Sequence, residues 1–225
     1  MQTNSEVKTS DKAALAGSRV YTKPALFIYD YSVLWFSNSF VWKCPTSKIL
    51  DFYNKYISNN HLDIGIGTGY FLDKCQFPSQ TPIVTIADLN PNSLNSAAAR
   101  LRRYNPVTHL LNILEPLPIT TRFDSIGINY VLHCLPGKTL YDKEIVFRNL
   151  KPLLNPGGVV FGTTILGKDV PHGLLAKQFL RSYNTTGIFS NTGDSYKDLQ
   201  ESLARNFPKC STELIECVAF FAGRI

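Results

Sequence analysis

The sequence predicts a three-layer α/β/α fold, in which one mostly parallel sheet of seven strands is covered by helices on both faces. Three observations support this class: short apolar runs alternate with longer amphipathic runs, a glycine-rich turn follows the first apolar run, and two strand-like pieces end the chain. Strict alternation of strand and helix is typical of a parallel sheet, because each parallel connection needs a crossover. The short break near Glu216 instead predicts an antiparallel hairpin at the sheet edge.

The elements follow in order from these patterns. The predicted strands are residues 61–65, 83–88, 107–112, 123–130 and 158–165, then the two pieces within 210–225. The predicted helices of the same part are residues 69–75, 91–103, 143–154, 171–183 and 195–207. Two further helices are expected before the sheet, at residues 24–35 and 45–58, each with a proline in its first turn.

The composition argues against several classes of protein. With 44% hydrophobic and 18% charged residues, the chain resembles an ordinary globular protein. It has no apolar run of about 18 residues, and its polar N-terminus lacks an apolar signal core, so we expect neither a membrane span nor secretion. Five cysteines without a C-x-x-C pair argue against a disulfide framework and a zinc site. A reduced, cytoplasmic compartment is therefore expected, and no metal.

The charge gives little evidence for a nucleic-acid partner. The net charge of +6 is compatible with an anionic partner, but Arg100, Arg102 and Arg103 form the only tight basic cluster in the sequence. On a predicted helix such a cluster is more simply explained as a solvated face than as a phosphate-binding patch.

The stretch His61–Tyr70, with the sequence HLDIGIGTGY, predicts a ligand site. Its three alternating glycines allow the backbone to turn sharply from strand to helix and a ligand to approach closely. A dinucleotide fingerprint would be G-x-G-x-x-G, with a pyrophosphate at the helix N-terminus. Here the pattern is G-x-G-x-G, with acids at Asp63 before it and Asp88 after it. This distribution suits a nucleoside with a cationic or zwitterionic tail.

Asp88 ends the second predicted strand, 19 residues after Gly69. A carboxylate in this position can accept hydrogen bonds from both hydroxyl groups of a ribose. The alternative is that Asp88 caps the helix that begins near Pro91. Asn90 is better placed as a cap, so we favour the ribose role for Asp88.

These motifs resemble those of the class I S-adenosylmethionine-dependent methyltransferases. Besides DIGIGTG and ADLNP, the resemblance rests on NILEPLP, FDSIGINYVLHCLP and LLNPGGVVFGTTIL in the family's order, and it covers the chain from about His61 onward. It implies a Rossmann-like sheet closed by one antiparallel strand, S-adenosyl-L-methionine as cofactor and S-adenosyl-L-homocysteine as product. The aromatic segment before the sheet and the later ILG...YN..GIF segment look like small microbial and fungal methyltransferases of secondary metabolism.

The resemblance also implies roles for single residues. The glycines would pass close to the methionyl and ribose parts, Asp63 would help to hold the ammonium group, and Leu89 would lie against the adenine. Asn112 stands where the family usually has an aspartate that binds the adenine amino group, and an amide can still accept there. The cofactor-binding residues expected in this way are Asp63, Gly65, Gly67, Thr68, Gly69, Asp88, Leu89, Asn112, Ile113 and Asn129.

Two residues are expected at the reacting centre. Tyr130 ends the fourth predicted strand and would face the substrate, and His133 lies just beyond it. Imidazole titrates near neutrality, so His133 is the candidate general base, although it could instead pack beside the following helix. His61 and His109 lie at strand starts and are expected to be structural.

The acceptor side is expected to be aromatic. We expect substrate-binding residues among Tyr21, Tyr29, Tyr31, Trp42, His172 and Tyr183, since such rings combine apolar area with a polar tip. The alternative is that the rings only pack helices onto the sheet. We expect residues 1–20 to be a flexible tail and 21–225 to be one methyltransferase domain. Within it, 21–58 would be a helical lid, 59–225 the Rossmann-like core and 167–193 an insertion on the substrate side.

The favoured function is methylation of an O or N atom of a small-molecule acceptor such as a natural product, by a monomer or homodimer. The stretch Asn129-Tyr130-Val131-Leu132 lacks the Asn/Asp-Pro-Pro-aromatic tetrad expected of an adenine or cytosine amino methyltransferase. Three alternatives stay open: an RNA methyltransferase, supported mainly by the positive charge; a cofactor-binding enzyme that cyclises or rearranges a natural product; and a non-catalytic partner subunit.

Overall fold

The structure, a computed structural model, describes residues 37–225. Its strands are β1 (Asn60–Ile64), β2 (Ile83–Asp88), β3 (Val107–Leu110), β4 (Phe123–Asn129), β5 (Leu154–Ile165), β6 (Lys209–Ile215) and β7 (Val218–Arg224). The described α-helices are α1 (Thr46–Tyr56), α2 (Tyr70–Lys74), α3 (Pro91–Arg100), α4 (Ile145–Leu150), α5 (Leu174–Thr185) and α6 (Tyr196–Asn206). Short 3-10 helices lie at Arg102–Tyr104, Leu132–Cys134 and Lys151–Leu153.

The strands form one sheet in the order β3-β2-β1-β4-β5-β7-β6. β1 pairs in parallel with β2 on one side and with β4 on the other. Chain connections leave β1 and β4 in opposite directions along the sheet, so the loops after these two strands diverge and leave a crevice. The glycine turn after β1 and the segment after Asn129 therefore border one crevice.

The predicted fold class is confirmed. β2 has the predicted bounds, and β7 runs antiparallel to both of its neighbours, β5 and β6. The predicted hairpin forms, with β6 at the edge and β7 inside the sheet. β5 begins earlier than predicted because an irregularity in its pairing with β4 brings Leu154 opposite Phe123 and Val159 opposite Ser125.

Two predicted helices end three or four residues earlier in the structure. The helix predicted at 91–103 ends at Arg100, and the 3-10 helix that follows it stops before Asn105, which has a left-handed backbone. The helix predicted at 143–154 contains an α-helix only to Leu150, because Pro152 cannot donate a backbone hydrogen bond. The helix predicted at 24–35 lies outside the described residues.

Apolar side chains cover both faces of the sheet. One cluster includes Phe147 of α4 and Leu203 of α6, and another includes Tyr53 of α1 and Leu101 after α3. β4 is buried from Ser125 to its end, as expected for a central parallel strand. The strand ends that border the crevice are therefore held by a packed core.

Part of the basic cluster takes part in contacts within the molecule. Arg103 pairs with Asp73 of α2, and Arg100 donates a hydrogen bond of 3.2 Å to Thr68 Oγ1 in the glycine turn. Arg102 stays exposed. Within residues 37–225, no helix combines the length and the apolar character that a bilayer crossing requires.

Candidate active site

In the glycine turn after β1, one glycine is required by packing within the protein and another leaves space for a ligand. All three have a positive φ, of 69° at Gly65, 55° at Gly67 and 77° at Gly69. A Cβ on Gly65 would collide with Val131 Cγ2, whereas a Cβ on Gly67 would have no atom of the described residues within 4 Å. Gly65 is thus required by packing within the protein, and Gly67 exposes its backbone to open space where a ligand can approach.

Asp88 supports this turn from the end of β2. Its Oδ2 accepts the backbone N–H of Gly67 at 3.2 Å, and its Oδ1 accepts that of Asn90 at 2.8 Å. Asn90 is the N-cap of α3, since its side chain accepts from Asn92 N at 2.8 Å. Each oxygen of Asp88 keeps a further lone pair for a ligand hydroxyl group. Burial raises the pKa of Asp88, and the backbone N–H groups it accepts oppose that shift.

A cleft lies between the glycine turn, α1, α2 and the end of β4. It contains about 510 Å³ of empty space, part of which is open solvent. Its lining residues are Tyr53, Asp63, Gly65, Ile66, Gly67, Thr68, Tyr70, Phe71, Asn129 and Tyr130. Burial, and then the charge of Asp88, raise the pKa of Asp63 well above its ordinary value.

Two buried polar atoms among the residues that line this cleft have no hydrogen-bond partner within residues 37–225: Tyr53 Oη and Asn129 Nδ2. The amide oxygen of Asn129 accepts from Thr163 Oγ1 at 3.0 Å, which fixes the orientation of the amide. An orphaned buried donor costs about 1–3 kcal/mol, so these atoms indicate a polar ligand.

The cleft fits S-adenosyl-L-methionine. Gly67 offers open backbone, Asp88 offers acceptors for ribose hydroxyl groups, and Asp63 offers an acid for an ammonium group. Asn129 Nδ2 supplies a donor for a carboxylate. The two acids and the unpaired donor match a nucleoside that carries a zwitterionic tail.

Tyr130 has a strained backbone at the mouth of the cleft. Its φ is 55°, which is rare for a residue with a side chain and is frequent at functional sites. Its hydroxyl group donates to Asn38 Oδ1 at 3.0 Å, and Asn38 Nδ2 donates to Thr46 Oγ1 at 3.0 Å. Tyr130 thus links the segment after β4 to the residues before α1.

His133 is buried beyond Tyr130. Its Nδ1 accepts the backbone N–H of Ile165 at 3.3 Å, so the proton of the neutral ring lies on Nε2. Burial, and then the charge of Lys143, lower the pKa of His133 to about 3. For His133 to take a proton from a substrate, Nδ1 must first release Ile165, and the ring then becomes a buried cation.

The segment after α5 packs against His133. The Phe189 ring lies edge-on to the imidazole, with 4.4 Å between ring centroids, and Ser190 N donates to His133 O at 2.8 Å. Lys143 Nζ, which is fully buried, donates to Ser190 O and to Asp194 Oδ2, each at 2.6 Å. The insertion predicted at 167–193 is therefore anchored beside the predicted reacting centre.

The structure places three of the predicted substrate-binding residues. Trp42 is buried and packs on Phe189, with 6.0 Å between ring centroids, and Tyr183 packs edge-on to Phe189 at 4.9 Å. His172 is half-buried, and its Nε2 donates to Leu166 O at 2.9 Å. Tyr21, Tyr29 and Tyr31 lie outside the described residues. Trp42 and Tyr183 belong to one aromatic wall, while none of the three lines the cleft.

The remaining predicted cofactor residues follow β2 and β3. Leu89 is half-buried, Ile113 is buried, and Asn112 Oδ1 accepts from Leu114 N at 3.1 Å. Sequence reasoning missed four lining residues, Tyr53, Ile66, Tyr70 and Phe71. Tyr53 carried a signal, because it lies in an aromatic helix just before the glycine stretch. The other three stand next to glycines or on α2 and carried none.

The sequence of this core is similar to known methyltransferases. Residues 62–160 match the family model described as a methyltransferase domain. The chain is 39% identical to a demethylluteothin O-methyltransferase of Streptomyces thioluteus, over 94% of this chain and 92% of that protein. It is 38% identical to a physcion biosynthesis cluster O-methyltransferase of Aspergillus chevalieri, over 91% of this chain and 93% of that protein.

A solved structure agrees with the fold. A DhpI complex with S-adenosylhomocysteine has a TM-score of 0.65 and covers 94% of each chain, at 14% sequence identity. That level of identity shows the fold alone, whereas the similarity to the two O-methyltransferases extends over more than nine-tenths of the chain. Together with the cleft, these findings show that the chain belongs to the class I S-adenosylmethionine-dependent methyltransferases, with S-adenosyl-L-methionine as its cofactor.

Proposed function

We propose that this enzyme transfers the methyl group of S-adenosyl-L-methionine to an oxygen or nitrogen atom of a small natural-product-like acceptor. The observation that carries the proposal is the cleft at the switch point of the sheet. Asp63 and Gly67 line this cleft, and Asp88 accepts the backbone N–H of Gly67. The two O-methyltransferase relatives support oxygen as the acceptor atom.

The bound cofactor supplies a methyl group on a positively charged sulfur. We propose that Asp63 and Asn129 hold the zwitterionic tail of the cofactor and that Asp88 holds its ribose. The residues of the glycine turn would lie against its methionyl and ribose parts: Gly65, Gly67, Thr68 and Gly69. Leu89, Asn112 and Ile113 would surround the adenine. The burial of Asp63, Thr68, Asp88, Asn112 and Asn129 at strand ends supports this division.

On the acceptor side the protein must hold a nucleophile about 3 Å from the methyl group and exclude water. We propose that Tyr130 orients the acceptor and that His133 removes its proton after Nδ1 releases Ile165. The aromatic wall of Trp42, Tyr183 and Phe189 would exclude water on this side, with His172 nearby.

The parts that select the acceptor would lie outside the sheet. We propose a flexible tail at 1–20, a helical lid at 21–58 that includes Tyr21, Tyr29 and Tyr31, and a substrate-side insertion at 167–193, all within one domain. The anchoring of Ser190 beside His133 supports the role of the insertion. We further propose a cytoplasmic enzyme of secondary metabolism, a monomer or homodimer, without a nucleic-acid partner.

The test is a transfer assay with methyl-labelled cofactor and a panel of phenols, enols and amines. Label is expected in a small organic product, and the Asp88→Ala variant should give none. Label in added RNA that persists at high salt would contradict the small-molecule acceptor, since non-specific phosphate contacts weaken steeply with ionic strength. Conversion of an acceptor without label transfer would instead indicate rearrangement chemistry.

Changing His133 to glutamine is expected to lower turnover about 10²-fold or more, the usual contribution of a general base. S-adenosylhomocysteine affinity should stay within about twofold of the wild type, because His133 does not line the cofactor cleft. Steady-state kinetics and calorimetry measure the two quantities. His109→Gln, on the edge strand β3, is the matched control. Unchanged turnover in a folded His133→Gln protein would make His133 a packing residue.

A further inference from the structure

A chain of buried polar side chains runs behind Asp63, away from the cleft. His61 Nε2 lies 3.4 Å from Asp63 Oδ2, and His61 Nδ1 lies 2.7 Å from Ser125 Oγ. Ser125 Oγ is in turn 2.7 Å from Ser58 Oγ and accepts the backbone N–H of Ser58 at 2.9 Å. His61 and Ser125 are fully buried, whereas Ser58 is half-buried before β1. We call these four side chains the Asp63 relay.

The hydrogen bond that Ser58 donates, at the end of the Asp63 relay farthest from Asp63, determines where the protons lie along the relay. Ser58 Oγ donates to Asn60 O at 3.0 Å, so it accepts from Ser125 Oγ. Ser125 Oγ then accepts the proton on His61 Nδ1, which leaves Nε2 as an acceptor. An Nε2 lone pair that faces Asp63 Oδ2 requires a proton on that oxygen, because two acceptors would repel each other.

Burial favours the same protonation states, with His61 neutral and Asp63 protonated. It lowers the pKa of His61 to about 3 and, with the charge of Asp88, raises the pKa of Asp63 well above its ordinary value. The 3.4 Å contact would also suit an ion pair, but desolvation disfavours both charges. The titratable groups that face the carboxyl group from the elements around it are His61, Tyr53, Cys75 and Asp88. None of these is a permanent cation, and burial raises the pKa of Cys75 to about 12.

A further donor lies close to Asp63 on the side of α1. Tyr53 Oη is buried and has no hydrogen-bond partner in the part of the chain that the structure describes. A Cβ built on Gly127 would lie 2.9 Å from Tyr53 Oη and 2.9 Å from Asp63 Oδ2, so the two groups converge over the bare backbone of Gly127. The two groups form no hydrogen bond with each other in this structure, so this hydroxyl group is left as a second donor if Asp63 becomes a carboxylate.

We propose that Asp63 and His61 share one proton in the ligand-free protein, and that the ammonium group of the cofactor displaces this proton when it binds. The inference rests on the proposed function, in which Asp63 holds that ammonium group. His61 is a positioning residue, since it acts on the cofactor only through Asp63.

The proton leaves through the Asp63 relay. Asp63 Oδ2 gives its proton to His61 Nε2, and His61 Nδ1 gives one to Ser125 Oγ. Ser125 passes one to Ser58, and Ser58 passes one to water. One proton is released in total, and the imidazole stays neutral in its other tautomer. Its Nε2–H then donates to the new carboxylate, and Tyr53 Oη supplies the second hydrogen bond.

Calorimetry with S-adenosylhomocysteine tests the proton count, because this ligand has the ammonium group without the sulfonium charge. Titration of the full chain at pH 7 in two buffers of different ionisation enthalpy is expected to show release of about one proton per ligand. The affinity should rise about tenfold per pH unit where ligand-free Asp63 is protonated, and level off above its pKa. Binding without proton release and independent of pH overturns the inference and leaves the proposed function standing. A chain that binds no ligand at any pH overturns the proposed function itself.

Nitrogen-15 NMR of the imidazoles tests the tautomer. The chain has four histidines, and His61 is expected to carry its proton on Nδ1 without ligand and on Nε2 with S-adenosylhomocysteine. His109 should keep its spectrum. An unchanged His61 tautomer in a protein that binds the ligand overturns the relay.

Tyr53→Phe tests the second donor. The ring keeps its stacking on Phe71, with 5.6 Å between centroids, and loses only the hydroxyl group. Affinity for S-adenosylhomocysteine is expected to fall about tenfold. Wild-type affinity at every pH would overturn the part assigned to Tyr53.

Discussion

Replacing Asp88 by alanine is expected to weaken S-adenosylhomocysteine binding by about 10² to 10⁴-fold. Two ribose hydroxyl groups would lose a charged acceptor, and each such hydrogen bond contributes about 1.5–3 kcal/mol. The variant also leaves the N–H groups of Gly67 and Asn90 without their acceptor, so the turn loses order at the same time. Isothermal titration calorimetry on folded protein measures the loss.

Two variants separate these effects of Asp88. Asp88→Asn keeps the shape and a carbonyl acceptor, so it should bind the ligand more weakly than the wild type and more strongly than the alanine variant. Asp124→Ala removes an exposed acid from the opposite end of the sheet and should leave affinity unchanged. An Asp88→Ala protein with wild-type affinity would show that Asp88 serves only the fold.

Changing Gly67 to valine is expected to abolish measurable binding of S-adenosylhomocysteine. The new side chain would occupy the open space in front of the turn, and a β-branched residue at φ 55° adds strain of about 1–2 kcal/mol. Calorimetry follows the binding, and thermal unfolding follows the strain.

Gly157 provides the matched control for Gly67. Its φ is 78°, and a Cβ there would also have no atom within 4 Å, but it lies in the β5 segment far from the cleft. Gly157→Val should therefore lose similar stability while it binds the ligand normally. If the folded Gly67→Val protein also binds the ligand normally, the inference that the ligand lies close to Gly67 is wrong.

Local patterns predicted most of the fold. The alternation of strands and helices and the closing hairpin depend on neighbouring residues, and their structure agrees with the prediction to within a few residues at most ends. The shift in β5 was missed because it depends on which residue of β4 faces Leu154. Helix ends were missed where a 3-10 turn replaced the last α-helical turn.

The site was predictable where one short stretch carries it. The glycine turn and Asp88 could be found by spacing alone, whereas the contact of His61 with Ser125 requires the parallel register of β1 and β4, 64 residues apart. The same limit applies to His133, whose tautomer is set by Ile165 on a distant strand. The sequence shows a histidine near a strand end, but only the folded structure shows which ring nitrogen accepts a hydrogen bond and which carries the proton.

The contact between Gly65 and Val131 constrains how such an enzyme can evolve. Val131 fills the space that a side chain at position 65 would need, and it stands between Tyr130 and the turn that carries His133. A bulkier residue at position 131 would distort the glycine turn, so a substitution at this position that changed the acceptor would also disturb the cofactor site. Lineages that acquire new acceptors should instead diverge in the segments before α1 and after β5, and inherit positions 65 and 131 as a pair.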